Sequence, residues 1–184
     1  MSSARLLPGI VAAVLALGSA AHAAAPIRNG AFHDGADGAP AEWRNEAWAR
    51  EGVEFSWTPP GSDVPSSAGI HNLVPNDTRW CQSIAVQPGA TYRVSTRVRT
   101  NDVGTGAAGA HIAVEPRVAD SAEVRGTEDW QRLDVEARAG EERQWDVCLR
   151  LGSYANLNTG TAWFTDVSVL QIGAPLTVAG PGSA

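Results

Sequence analysis

The chain contains no lysine. Its 14 basic residues are all arginine and face 20 carboxylates, for a net charge of −6. Such a balance disfavours nucleic acid or an anionic membrane surface as partner, because phosphate binding needs clustered positive charge. Long apolar runs are missing too, apart from Leu6 to Leu17 near the start. That run is short for a membrane span. It follows Arg5 and precedes the small-x-small triplet Ala21-His22-Ala23, so residues 1–23 read as a secretion signal peptide. No cysteine directly follows the apolar run to carry a lipid anchor. The mature chain is expected to be secreted or periplasmic, without membrane insertion. Loss of Arg5 leaves 13 arginines against the same 20 acids, a charge of −7.

Catalytic signatures are equally scarce. There is no G-x-S-x-G, H-E-x-x-H, P-loop or dinucleotide fingerprint, and the glycine run Gly104 to Gly109 lacks the Lys-Ser/Thr of a phosphate loop and reads as a hairpin loop. The three histidines of the mature chain, His33, His71 and His111, have no metal-ligand spacing, so no metal site is expected. Carboxylates are plentiful, but no pair is singled out for glycoside hydrolysis.

Helical periodicity is almost absent, and period-two alternation takes its place. Val53, Phe55 and Trp57 alternate with polar neighbours, as do Tyr92, Val94, Thr96 and Val98, and later Leu133, Val135 and Ala137. About nine strands are predicted, near 27–33, 52–58, 68–74, 80–87, 91–100, 109–116, 129–138, 145–152 and 161–171. Turn residues such as Pro59-Pro60-Gly61, Pro75-Asn76-Asp77 and Pro88-Gly89 separate them. The pattern predicts an all-β, two-sheet β-sandwich over 24–172. The Gly/Ala/Pro-rich end, 173–184, is expected to be a disordered tail.

Only two cysteines occur, Cys81 and Cys148. In an exported chain an even count suggests a disulfide. Phase agrees. Ile84 and Val86 take one face of their strand and Cys81 the other, while Trp145, Val147, Leu149 and Leu151 lie opposite Cys148. Both cysteines therefore belong to non-core faces, which two neighbouring strands can present to each other.

Four segments carry a family resemblance: Asn29-Gly30-Ala31-Phe32 with Gly38-Ala39-Pro40-Ala41-Glu42-Trp43; Gln82 to Ser95; Thr127 to Leu133; and Gly160 to Leu170. In order and spacing they resemble the galactose-binding-like jelly-roll domains, most closely the carbohydrate-binding modules of families 4, 9 and 22. The resemblance covers about residues 27 to 172. It implies jelly-roll topology, with Gln82 to Ser95 as a hairpin, and Trp43 and Trp130 in structural positions. It also implies a structural calcium between the first and last strands. At the two expected carboxylate positions this chain has His33 and Thr165, with Asp34 and Asp166 one residue later and so on the other face unless a bulge intervenes. Calcium is therefore disfavoured and no cofactor is expected.

The implied function is non-catalytic binding of a polysaccharide or other glycan. Seven tryptophans against two tyrosines and three phenylalanines suit stacking on sugar rings. Trp57 and Trp145 share faces with apolar neighbours and are assigned, with Trp43 and Trp130, to the core. Trp48, Trp80 and Tyr154 are the stacking candidates. Arg97, His111, Glu115 and Arg150 are outward-facing and are expected to converge on one concave sheet face, where guanidinium groups bond hydroxyls or a uronate. The competing reading is cross-strand ion pairing with Asp134, Glu136 or Asp146 on a solvated surface. A structural or protein-interaction sandwich of the cell envelope is the alternative function.

Overall fold

The computed structural model describes residues 27–175 except 62 and 117. The expected signal peptide, 1–23, lies outside the described residues, as does the expected tail beyond 175; at the start of that tail Gly173 still belongs to the last strand, paired with Thr91. Twelve strands occur among those described: β1 Gly35–Ala36, β2 Ala39–Pro40, β3 Arg44–Ala47, β4 Val53–Thr58, β5 Ser67–Asn76, β6 Thr78–Ala85, β7 Thr91–Val103, β8 Ala110–Glu115, β9 Ala119–Asp120, β10 Gly126–Arg138, β11 Gln144–Leu151 and β12 Asn158–Gly173. Ten of them build two five-stranded sheets, ordered β10-β7-β12-β5-β4 and β3-β6-β11-β8-β9, while β1 pairs with β2 alone. They are called here the β7 sheet and the β11 sheet. No described helix is long and apolar enough to cross a membrane.

From β5 to β8, and again from β9 to β12, each connection passes from one sheet to the other. This alternation is jelly-roll topology, and it corrects two expectations. The segment Gln82 to Ser95 is not a hairpin, because β6 and β7 belong to different sheets. Its Pro88-Gly89 turn carries the chain across the sandwich, closed by Ala90 N–H donating to the Gln87 carbonyl at 3.1 Å. The buried Tyr92 hydroxyl accepts the Gln87 N–H at 2.8 Å, fixing the arch. Gly104 to Gly109 likewise crosses from β7 to β8. Alternation is the same in an arch as in a hairpin, since in both each strand turns one face to the core.

Residues 27–33, expected as a strand, form a turn instead. Asn29 and Phe32 take left-handed φ values of 50° and 55°. The Asn29 amide donates to the carbonyls of Asp34 (2.7 Å) and Ala41 (2.9 Å), and its oxygen accepts the Asp34 N–H. Phe32 is thereby driven into the core against Trp43, ring centres 5.2 Å apart. Gly30 is required there because a Cβ would collide with the Val167 carbonyl. Buried Gln82 holds this turn to β6, accepting from Arg28 N–H (2.7 Å) and donating to the Arg28 carbonyl (2.8 Å).

The inner faces make one core. Trp80, Ile84, Ile112, Val114, Trp145, Val147 and Leu149 of the β11 sheet meet Ile70, Tyr92, Val94, Val98, Leu133 and Phe164 of the β7 sheet. Trp145 sits edge-on to Tyr92 at 5.4 Å. Trp43 and Trp145 are buried as expected, and half-buried Trp57 packs against the core. Trp130 does not join them. It shares a phase with Arg132 and Asp134, opposite Leu133 and Val135, and lies on the outer face under Arg97 and Arg99.

Cys81 and Cys148 are direct partners in the β6–β11 register and form a disulfide on the outward face, with Ala113 beside them. It closes a chain separation of 67 residues. Replacing both with alanine should cost roughly 2–4 kcal/mol, mostly by freeing the unfolded chain. Urea unfolding of the double variant and the native protein checks this; coincident midpoints would contradict it.

The last strand bears on calcium. A register shift between Thr165 and Ser168 places Asp166 at φ 54°, so a bulge is present. It brings the Asp166 carboxylate to 3.6 Å from Arg97. The buried Thr165 hydroxyl donates to the Ser66 carbonyl at 2.6 Å, and its own carbonyl accepts from Thr96 at 2.8 Å. His33 and Asp34 are exposed. A hydroxyl already committed to a carbonyl and an imidazole do not make the oxygen-rich shell of a hard dication, and no group of three or more His, Cys, Asp or Glu side chains stands together among the described residues.

Candidate functional site

The outer face of the β11 sheet carries a groove of about 350 Å³. Alternation builds it. Arg44 and Glu46 of β3, Arg79 and Cys81 of β6, and Asp146 and Cys148 of β11 all point away from the core, so the disulfide forms part of the floor and charged side chains rise around it. Glu115, Pro116 and Tyr154 line it as well. A second hollow of about 240 Å³ shares Glu46, Arg79 and Tyr154 and adds Trp48 and Asp77.

A buried arginine organises one end. Arg150 is 1% exposed and donates Nε to Asp77 Oδ1 (2.8 Å) and Nη2 to Oδ2 (2.6 Å), a bidentate pair. Its Nη1 donates to Glu115 Oε1 at 2.8 Å. The Tyr154 ring covers the guanidinium at 4.3 Å, and its hydroxyl donates to the same Glu115 oxygen at 2.9 Å. Burial lowers the pKa of Arg150, but its bonds to Asp77 and Tyr154 and the charges of Asp77 and Glu115 outweigh it, so the net shift is upward. Tyr154 itself takes a left-handed φ of 37°, held by its N–H donating to Asp77 Oδ2 at 2.8 Å. The result is a ring fixed on one side by a cation, at its tip by a carboxylate and at its backbone by a second carboxylate, yet 44% exposed.

The rest of the groove is a charge-matched ladder. Glu46 accepts from Arg44 (2.9 Å) and Arg79 (2.8 Å), and Arg44 also reaches Asp146. Partial burial raises the Glu46 pKa, but its two arginine partners dominate and hold it below the ordinary glutamate range. Desolvation opposes the positive form of Arg44, and Glu46 with Asp146 reverses that as well.

Four of the seven residues expected to bind ligand come together here: Trp48, Glu115, Arg150 and Tyr154. Trp48 is 79% exposed, with its N–H anchored to the Asp77 carbonyl at 2.9 Å. The other three do not join them. Trp80 is 0% exposed and its indole N–H donates to the Gly69 carbonyl at 3.0 Å. It shares the even-numbered phase of Gln82 and Ile84, which points inward. His111 pairs with Arg150 in register but is buried, its Nδ1 3.0 Å from the Gly109 carbonyl. Arg97 lies on the opposite sheet, because β7 pairs with β10 and β12 rather than with β8. The expected convergence of Arg97 with His111, Glu115 and Arg150 is therefore overturned. Ion pairing does prevail among these arginines, but Arg97 takes Asp166 and Arg150 takes Asp77 and Glu115, none of them directly across a strand pair from it except as the bulge and loop allow.

Sequence reasoning missed Arg44, Glu46, Asp77 and Arg79. A signal existed for Arg79, which is in phase with Cys81. Arg44 and Glu46 belong to a four-residue strand too short to reveal alternation, and Asp77 sits between two strands where phase says nothing.

No protein-family model matches the chain, and no curated protein matches it. Solved structures do. A family 4 carbohydrate-binding module aligns with a TM-score of 0.59 at 18% identity, over 79% of this chain and 99% of its own. A family 61 module in complex with β-1,4-galactotriose gives 0.52 at 15% identity, over 80% and 98%. The tandem family 22 modules of Xyn10C from Paenibacillus barcinonensis give 0.54 at 15% identity, over 89% of this chain and 49% of that one. The chain has the jelly-roll fold of these modules.

Proposed function

We propose that the protein is a non-catalytic carbohydrate-binding module of an exported protein, and that the β11-sheet groove takes an uncharged polysaccharide. The observation that carries this reading is the Tyr154 platform: an exposed ring locked by Arg150, Asp77 and Glu115, beside exposed Trp48 and a ladder of planar polar groups. Sugar rings offer flat C–H faces to aromatics and hydroxyls to guanidinium and carboxylate groups. Because the ring is already fixed, stacking on it costs little conformational entropy. Among the described residues, Arg44, Arg79 and Arg150 are each paired with carboxylates, which favours a neutral ligand. Affinity is expected to be modest, since an open groove leaves much of the ligand hydrated. The fold shared with carbohydrate-binding modules and the disulfide, typical of oxidising compartments, support the same reading.

Hydrolysis is not favoured by the same geometry. A glycosidase needs one carboxyl kept protonated as general acid. Glu46 is held ionised by two arginines, and Glu115 is engaged by Arg150 and Tyr154.

Affinity electrophoresis against xylan, mixed-linkage β-glucan, galactan and arabinan tests the proposal. At least one should retard the protein. Tyr154→Ala and Trp48→Ala should each weaken binding about ten-fold or more, as loss of a stacking anchor does, while Tyr154→Phe should retain most of it. Failure of the native protein to bind any neutral glycan would overturn this reading and leave a protein-interaction sandwich in its place.

A further inference from the structure

The other face of the sandwich carries a second cluster, built around an arginine that rests on indoles rather than on a carboxylate. On the outer side of the β7 sheet, Arg93, Arg97 and Arg99 stand in a row along β7. Arg93 pairs with Glu136 at 2.7 Å and Arg97 with Asp166 at 3.6 Å. Arg99 has no carboxylate partner among the described residues. Its Nε is buried and makes no hydrogen bond there. Two indoles hold it instead: its guanidinium carbon lies 4.3 Å from the Trp163 ring centre and 5.6 Å from that of Trp130. Cation–π contact of this kind positions a guanidinium without neutralising it.

The register explains the arrangement. Trp163 of β12 is the direct partner of Arg99 on one side and of Gly69 of β5 on the other. A Cβ on Gly69 would stand 3.1 Å from Trp163 Cδ1 and would collide with Ser56 Oγ, so glycine makes room for the indole to lie across the sheet. A hollow of about 420 Å³ opens beside the cluster, lined by Arg99, Asn101, Thr127, Glu128, Asp129 and Trp163. Of its two acids, Asp129 is turned back on its own chain, accepting the Trp130 N–H at 2.7 Å.

We infer that this cluster is a second glycan site, distinct from the groove, for an acidic polysaccharide. A uronate residue would place its carboxylate on Arg99 and its ring against the half-buried indoles of Trp130 and Trp163. The pairing of the arginines separates the two faces. Among the described residues each arginine lining the groove is matched by acids, whereas Arg99 is presented by aromatic rings and pairs with no carboxylate, although Glu128 and Asp129 line the hollow beside it. A planar carboxylate fits a guanidinium, and an indole beside it fits a pyranose face.

Polygalacturonate and alginate, with methyl-esterified polygalacturonate as the uncharged control, test it by titration calorimetry at low ionic strength. The native protein should bind at least one acidic polymer, more weakly as salt is raised, and should bind the esterified polymer much less. Arg99→Gln should weaken acidic binding roughly ten-fold or more, as loss of a charge-assisted contact does. Trp163→Ala should weaken it too, whereas Tyr154→Ala on the opposite face should leave it unchanged. Unchanged thermal unfolding of Arg99→Gln would separate lost recognition from lost folding; if that variant is unstable, Arg99→Lys, which keeps the charge without the planar fork, should still bind more weakly than native. Three results would overturn the inference: no binding of either acidic polymer, equal binding of the esterified one, or acidic binding that survives Arg99→Gln but is lost in Tyr154→Ala. The last would move acidic recognition to the groove.

Discussion

Asp77→Ala should destabilise the protein by roughly 3–5 kcal/mol, the cost of stranding a buried charge. Arg150 has 1% of its side chain exposed and Asp77 has 9%, so solvent cannot replace the lost carboxylate. The bidentate pair would vanish, leaving Glu115, at 2.8 Å, as the one remaining charged partner of the guanidinium among the described residues. At the size of this domain, such a loss lowers the melting temperature by about 10 °C. The consequence extends to the surface. Asp77 also accepts the Tyr154 N–H, which helps hold that residue at positive φ. Glycan binding by the folded fraction should therefore fall as well. A second variant separates the two effects. Asp77→Leu combined with Arg150→Met removes both charges and should recover much of the stability, because a desolvated ion pair contributes little net energy. It should not recover binding, since the Tyr154 ring would have lost its cation. Thermal unfolding with affinity electrophoresis reads both quantities. A melting temperature within 2–3 °C of native for the single variant, about what a surface change gives, would show that Arg150 is not committed to Asp77.

Trp80→Ala should cost a similar amount, roughly 3–5 kcal/mol, by a different route. Here the loss is volume. Trp80 is among the largest fully buried side chains, edge-on to Phe55 with ring centres 5.2 Å apart, and its removal opens a cavity between the sheets. The Gly69 carbonyl would also lose its indole donor. Trp80→Phe keeps most of the volume and should cost about 1–3 kcal/mol, largely for that unsatisfied carbonyl. Neither change should alter glycan affinity of the folded protein, because the indole never reaches solvent. Urea unfolding together with binding at a temperature where the variant is folded gives the answer. Binding abolished with stability intact would place Trp80 on the surface after all.

Some of this was readable from residues alone. Alternation located eight strands within a few residues, and phase assigned Cys81 and Cys148 to outward faces, where they meet as register partners. The same rule, applied to Trp80 and Trp130, would have placed the first inside and the second outside. Motif position and rim location misled where phase was correct. Short elements escaped: a two-residue strand has no period, and β3 has barely two. The turn at 28–31 escaped because its conformation comes from Asn29 side-chain bonds and a close approach to Val167 of the last strand.

What the sequence by itself determined was the inner and outer face of each long strand. Side-chain direction in a strand is local, set by the two-residue repeat of the backbone. Which sheet each strand joins was decided only in the tertiary structure, because pairing depends on partners tens of residues away and alternation is blind to them. Arg97 and Arg150 are both outward, and phase alone makes them candidates for one surface. The crossing of β6, β7 and β8 between sheets puts them on opposite sides of the molecule. That separation divides the outward residues into a charge-matched groove floored by the disulfide and, behind it, an arginine held between two indoles.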